Sequence, residues 1–520
     1  MHIARILEAS VERYPSHTAL VFGERRWTYT EWYGRVRRFA QALSDMGVRS
    51  GDRVAFYVST SENSVTTYFA CQILGAVAVP LNYRLSPGEA AYVIQDSGAR
   101  VVVYGRHLTE NAIKIQEQVR SVHDFISCSY EKAAIPDGHS QFDELAEETE
   151  DRDILRPIPA GTDTSALVYT SGTTGRPKGV VHTHANDIAI AMNCVMEYGL
   201  NHRDNALHIA PLYHVGGMQA YFLPHLMVGG TNVVMGRYNA LETLQTIFSE
   251  KITTLFAVPT QIQEMLLRPE FPRIDTSSLR LITTGGAAIA SAVMERVINE
   301  FCPNIFNGYG MTEASLALVL HPEDALSKLG SCGKPTLISE CRIIDRSPDA
   351  TSRDVLGCGE VGQLIVRGPQ AMTCYWNNPV ETAKKLKAGW VYSGDLFSQD
   401  EEGFYYFHGR ADDMIVSGGE NIYPREVEEL LYTHPGVQEA AVVGLPDEKW
   451  GQIVVAYVVA SDNALTAEDL DSFCKSSDNL APYKRPKTYT FMNELPTNPS
   501  GKVLKRELLA AHKKTLPGQS

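Results

Sequence analysis

The sequence predicts an α/β protein of at least two domains: a large N-terminal domain with parallel or mixed sheets covered by helices and a small β-rich subdomain at about 330–410, then a small α+β C-terminal domain. Three observations carry this. At 520 residues the chain is too long for one compact core. Apolar runs alternate with helix-like segments through its first 290 residues, the βα alternation that gives parallel sheets with helices on their faces. Beyond residue 330 come short strands and glycine turns, "GSCGKPT", "CRIID", "GQLIVRG" and "GFYYFHGR".

Taken in order, Thr30 is placed to cap a helix whose apolar residues Val36, Phe39, Ala40 and Leu43 share one face. "RVAFYV" (53–58) reads as a buried strand, followed by a helix through "TYFACQILGA", a run "AVAVPLN", a helix after Pro87 and "RVVVYG" (100–105). The acidic run "DELAEETEDRD" (143–153) reads as a solvated connector rather than a partner site. Alternation resumes with "TNVVMG" (231–236), "ITTLFAV" (252–258) and "LRLITTGG" (279–286). After Arg410 a polar, glycine-bearing stretch leads to "QEAAVVGLP" and "IVVAYVVAS", the apolar runs of the last domain.

The chain is 44% hydrophobic and 21% charged, an ordinary soluble composition. Its net charge of −14 argues against a general nucleic-acid binder, so an anionic ligand would need a local cationic site. Nine cysteines include no C-x-x-C pair and no zinc spacing, as expected of reduced thiols. The charged N-terminus is no signal peptide, and the apolar runs are too short to span a bilayer. A soluble cytoplasmic protein is expected.

The most telling stretch is "YTSGTTGRPKGV" (169–180), which follows a short apolar run. Gly172 and Gly175 can expose backbone N–H groups, Ser171, Thr173 and Thr174 add hydroxyls, and Arg176 and Lys178 add charge. That composition suits phosphate, although a plain glycine-rich turn is as common. It is not the P-loop of kinases and GTPases. Pro177 stands where that motif has its second glycine, and Gly179 follows the lysine where a magnesium-binding hydroxyl belongs.

Five further segments stand in order behind this loop: "PLYHVGG" (211–217), "NGYGMTE" (307–313), "GWVYSGDL" (389–396), "GRADDMIVSGGENIYPREVEE" (409–429) and "PTNPSGKVLKREL" (496–508). Together with the loop they resemble the adenylate-forming superfamily of acyl-CoA synthetases, luciferases and nonribosomal adenylation domains, over nearly the whole chain. The resemblance implies an ATP-dependent acid–CoA ligase. The acid attacks the α-phosphate of ATP to give an acyl-adenylate and pyrophosphate, and the thiol of coenzyme A then displaces AMP. It also implies a boundary, with 1–410 binding nucleotide and acid and 411–520 forming a mobile domain.

By the same resemblance, Thr170, Ser171, Gly172, Thr173, Thr174, Gly175, Arg176, Pro177 and Lys178 would cradle phosphate. Glu313 would hold Mg2+ and Thr312 would donate to the α-phosphate. Tyr309 would stack on adenine, with Gly285 and Gly286 letting backbone approach the ring. Asp395 would accept from the ribose hydroxyls, with Arg410 beside it. Lys502, rather than Lys484 or Lys505, would be the catalytic lysine. Asp412 would be a hinge between two poses, one bringing Lys502 to the adenylate and the other the loop Ser417, Gly418, Gly419 to Asn421 beside a pantetheine tunnel. His214 would line or gate the acyl site. The pair His182 and His184 lacks a third metal ligand nearby and reads as scaffold.

The acyl pocket would be built from 213–222, 257–265 and 283–290. The first segment holds no Asp or Glu to pair a substrate ammonium, and burying that charge alone is costly. A fatty or aryl acid therefore fits better than an amino acid. The expected partners are ATP, the acid and coenzyme A, with no nucleic acid and no membrane span; a homodimer stays open. A carrier-protein acceptor and a luciferase-like oxidation share the first step, and a non-catalytic nucleotide-binding regulator is the reading from another class.

Overall fold

The computed structural model describes all residues except 129–134, 153–157, 171–175, 348, 462–463, 478–479, 498–501 and 516–520, with 512–515 described as backbone only. Two large sheets carry the N-terminal part. In the first, strands Thr18–Phe22, Thr231–Val234, Asn205–His208, Thr254–Phe256, Leu281–Gly285 and Ile305–Met311 run parallel, and Ser315–Leu320 turns back antiparallel. In the second, Thr164–Thr170, Val77–Pro80, Arg53–Tyr57, Val101–Gly105 and Asp124–Cys128 run parallel, and Lys178–Thr183 turns back on Thr164–Thr170. The parallel strands are almost wholly buried and read Val-, Ile- and Leu-rich, as a sheet covered on both faces requires.

The β-rich subdomain is an antiparallel sheet of Glu340–Ile344, Gly362–Arg367, Trp390–Gln399, Leu386–Lys387 and Tyr405–Arg410. After it, Ile415–Ser417, Glu420–Ile422, Val437–Asp447, Gly451–Ala460 and Thr488–Phe491 form a further sheet. Its two faces each carry an apolar core, one around Val427, Leu431 and Val442 and the other around Val443, Tyr457 and Leu508. Both cores draw only on residues from 415 onward. Among the described residues no helix is long and apolar enough to cross a membrane.

Two expectations change. The first long helix of the N-terminal part after the β-hairpin is Tyr29–Asp45, and its cap is Thr28, not Thr30: Thr28 and Glu31 form a reciprocal capping box. The acidic run is no free connector either. Phe142–Glu148 is a helix whose Asp143 and Glu147 both pair with Arg35, and Asp151 pairs with Arg37. Arg35 is only 2% exposed, so it needs these carboxylates. Breaking a buried pair by removing one partner costs about 3–5 kcal/mol.

Candidate active site

The sheets bring their ends to one open cavity of ≈ 1630 Å³. The second sheet contributes a hairpin. Thr170 and Lys178 are register partners on its two antiparallel strands, so the glycine-rich loop leaves and returns at one point. In a P-loop the chain would enter a helix instead. Thr170, Arg176, Pro177 and Lys178 line the cavity. Ser171, Gly172, Thr173, Thr174 and Gly175 lie outside the described residues.

The first sheet contributes the turn between Ile305–Met311 and Ser315–Leu320, which places Thr312 and Glu313 on the cavity wall. Tyr375 donates to Glu313 Oε1 at 2.5 Å. Gly286 also lines the cavity, whereas Gly285 lies behind it: a Cβ on Gly285 would stand 2.6 Å from the Gly308 carbonyl, so two strands meet there at backbone distance.

The β-rich subdomain contributes a cross-strand pair. Asp395 and Arg410 sit opposite each other on antiparallel strands, and Arg410 Nη1 lies 3.0 Å from Asp395 Oδ1. That contact is an ion pair without an aligned hydrogen bond, so Oδ1 keeps unused acceptor capacity although Asp395 is buried. The other oxygen, Oδ2, accepts from the Tyr309 hydroxyl at 2.5 Å. Tyr309 itself is not on the cavity wall; its ring packs edge-on to Phe397 with centroids 4.8 Å apart.

The last domain contributes Lys502, which reaches the cavity with Thr497 and Arg506. By surface area the residue is exposed, because the cavity is open to water, but protein crowds its ammonium. Desolvation, and secondly the charge of Arg410, lower its pKa below that of an ordinary lysine, while Asp395 and Asp413 offset part of this. Asp412 also lines the cavity, in the single turn Ala411–Asp413 that joins the subdomain to the last domain. Ser417, Gly418 and Gly419 are not on the wall. Gly418 and Gly419 have φ of +62° and +89° and close a tight hairpin, the backbone for which glycine is chosen.

His214 lines the cavity beside Tyr213, whose ring lies 4.6 Å away. Its Nε2 is buried without a partner among the described residues, and burial pulls its pKa down to about 4, so the ring is neutral near pH 7. His182 and His184 are buried: His182 joins Asp187 to the carbonyl of the cavity-wall residue Thr312, and His184 Nδ1 accepts from the Ile3 amide at 3.3 Å.

Residues that sequence reasoning missed complete the wall. Glu381 pairs with Lys178 and Lys384, and those bonds, Lys178 first, hold its carboxyl down at about 2. Lys385 donates to the Ser393 carbonyl at 2.7 Å, and burial lowers its pKa. Among the described residues, ten lysines and arginines face five carboxylates around the cavity of a chain whose net charge is −14. An anionic ligand finds here the local cationic site that the overall charge demands.

A large cation-rich cavity, walled by the residues that flank the hydroxyl- and glycine-rich stretch and by Lys502 from the C-terminal part of the chain, suits an adenylate-binding enzyme. The chain belongs to the AMP-binding enzyme family: the family profile matches residues 7–376, and that of the AMP-binding enzyme C-terminal domain matches 426–502. It is 37% identical to feruloyl-CoA synthase of Amycolatopsis sp over 497 residues, 95% of this chain and 96% of the relative. It is 35% identical to the long-chain-fatty-acid–CoA ligase FadD13 of Mycobacterium tuberculosis, over 95% of this chain and 94% of that one. Among solved structures it is similar to the anthranilate CoA ligase AuaEII in complex with anthranoyl-AMP, with TM-score 0.91, 27% identity and coverage of 99% and 98%.

Proposed function

We propose that this chain is an ATP-dependent acid–CoA ligase that adenylates a fatty or aryl carboxylic acid and passes the acyl group to coenzyme A. The observation that carries the reading is the convergence on one cavity of Lys502, the Asp395–Arg410 pair, Thr312, Glu313 and Lys178, drawn from four separate sheets or domains. The relatives named as feruloyl-CoA, fatty-acid–CoA and 2-succinylbenzoate–CoA ligases support the same reaction class.

In the first half-reaction a carboxylate oxygen attacks the α-phosphorus and pyrophosphate leaves. Anion meets polyanion, so fixed cations must offset the repulsion. Lys502, a compact charge on a flexible stem, would bridge the carboxylate and α-phosphate oxygens, with Thr312 donating to the same phosphate. Asp395, with its free acceptor capacity at Oδ1, would take the ribose hydroxyls, and Gly286 would let backbone approach the adenine. Lys178 and Arg176 would serve the phosphate chain. In the second half-reaction the thiol sulfur attacks the acyl carbonyl, the thiol proton is lost and AMP leaves. For this step the domain after about residue 410 would rotate at Asp412 and bring the Ser417–Gly419 hairpin to the site.

Glu313 fits a magnesium ion. It presents a single carboxylate on a cation-rich wall, with one oxygen held by Tyr375, and Mg2+ prefers one or two carboxylates plus phosphate oxygens to an all-protein cage. Bound there with ATP, the ion would neutralise developing phosphate charge.

The test is pyrophosphate release across fatty chain lengths, benzoates and cinnamates, followed by AMP release with and without coenzyme A. Acid-dependent pyrophosphate with coenzyme-A-dependent AMP is the expected result. Turnover with none of the acids would sink the reading; coenzyme-A independence would move the acceptor to a carrier protein.

A further inference from the structure

We propose that His182, backed by Asp187, is a positioning residue for adenylation: it fixes the turn that presents Thr312 and Glu313 to the cavity. The inference rests on the reading of those two residues given above.

His182 is 0% exposed, on the same strand, Lys178–Thr183, that begins with the hairpin lysine. Its Nε2 lies 3.0 Å from the Thr312 carbonyl oxygen. A carbonyl can only accept, so Nε2 carries the proton and donates. Its Nδ1 lies 3.0 Å from Asp187 Oδ1, which fixes the plane of the ring. Asp187 is itself 0% exposed and held in turn: its Oδ2 accepts from Ser165 Oγ at 2.7 Å and from the Tyr68 hydroxyl at 3.4 Å. It stands in the first turn of His184–Tyr198, where Thr183 and Asn186 form a capping box. The imidazole is thus braced at both nitrogens.

The turn needs bracing. Ser315, just past it, has φ of +47°, unfavourable for a residue with a Cβ, and Gly310 before it lies so close that a Cβ would stand 2.2 Å from the Ser315 carbonyl. Among the described residues three bonds hold it from outside. Met372 N donates to the Glu313 carbonyl at 2.8 Å, Tyr375 to the Glu313 side chain, and His182 to the Thr312 carbonyl. Of these, the His182 bond ties the turn directly to the strand that carries Lys178, and Tyr375 reaches the same strand one step removed, as the register partner of Val180. Since the Tyr375 route ends on the Glu313 side chain, the His182 bond is the one that fixes the backbone of the turn, at Thr312, against the Lys178 strand, a spacing on which simultaneous contact with one triphosphate would depend. Charge stabilisation by preorganised groups is lost when their spacing is not held. A buried histidine that only filled core space would leave that spacing to other contacts.

The experiment compares His182→Leu, His182→Gln and Asp187→Asn in the full chain. Acid-dependent ATP–pyrophosphate exchange reads adenylation, and thioester formation from supplied acyl-AMP reads the second half-reaction. Groups that orient others at a site typically contribute roughly 10–100-fold. His182→Leu should lower exchange by that factor, with Asp187→Asn lowering it less, while thioester formation by the folded variants stays near wild type; the thermal midpoint of His182→Leu should fall, because a buried carboxylate loses its partner. His182→Gln, whose amide can still donate to the carbonyl, should recover most of the exchange. Should His182→Leu fail to fold, His182→Asn, too short to reach, replaces it against His182→Gln. Equal loss in both half-reactions, exchange at the wild-type rate, or no recovery with Gln would overturn the proposal. Glu313→Gln is the separating arm: full exchange there removes the site reading itself, whereas lost exchange there beside a normal His182→Leu removes only this inference.

Discussion

The C-terminal domain turns one part of itself toward the cavity and keeps another away. Lys502 and Thr497 line the wall, while the Gly418–Gly419 hairpin does not, and Trp450, whose ring lies on Gly418, is 45% exposed. Both parts belong to one small fold with its own two apolar cores. A rigid unit cannot offer both at once, so on the proposed mechanism, in which each half-reaction needs one of them, the unit would have to rotate. Among the bonds that hold it in this arrangement are two from side chains to backbone carbonyls. Arg425 Nη2 donates to the Ile289 carbonyl at 3.0 Å, and Gln263 Nε2 to the Gln438 carbonyl at 3.0 Å. Hydrogen bonds of this kind contribute about 0.5–1.5 kcal/mol each, somewhat more when one partner is charged.

The largest expected effect comes from removing the part that faces the cavity. Lys502→Ala should lower adenylation by roughly 10²–10³-fold, the value of one transition-state charge contact, and largely spare thioester formation from supplied acyl-AMP. Equal damage to both steps would erase the distinction between the two parts. Asp412→Pro attacks the link itself. Proline fixes φ near about −65° and removes an N–H, so acyl-adenylate should still form while thioester synthesis is lost; two normal half-reactions would place the hinge elsewhere.

A pH profile sharpens the same contrast. The Lys502 pKa is lowered, chiefly by desolvation, and the ammonium is the form that stabilises charge. Adenylation should therefore be intact at neutral pH and decline as pH rises through a value below about 10.4, the ordinary lysine pKa. Thioester formation from supplied adenylate should lack that limb; finding it in both steps would assign it to another group. The smallest effect is expected at His214. Its ring is neutral at pH 7 and its Nε2 has no partner among the described residues, so shape should matter more than proton transfer. His214→Phe should keep much of the coenzyme-A-dependent turnover and His214→Ala less. A general base typically contributes roughly 10²–10⁴-fold, so an inactive Phe variant would mark His214 as one.

Strands and motif residues were legible in the sequence because each is written locally. Apolar runs marked Arg53–Tyr57 and Val101–Gly105, and short motifs marked Thr312, Glu313, Asp395 and Lys502, all of which reach the cavity. What was not legible depends on partners far along the chain. Tyr375 touches Glu313 across 62 positions and Glu381 meets Lys178 across 203, and nothing in "CYWNNPVET" announces either. The acidic run was misjudged for the same reason: its partner, Arg35, lies more than a hundred positions away and is buried by tertiary packing. The helix cap shifted from Thr30 to Thr28 because both threonines can cap, and only Thr28 has a glutamate three residues on.

The pairing of Lys178 with Glu381 has a consequence for ligand traffic. An anion arriving at Lys178 does not meet a bare ammonium; it exchanges places with a carboxylate already there. When the anion departs, the carboxylate can return, so release need not leave an isolated cation waiting for solvent ions. The electrostatic gain on entry is correspondingly smaller than the lysine alone would give. The site is in this respect a reversible ion exchanger, holding its own counter-anion on the first turn of a neighbouring helix.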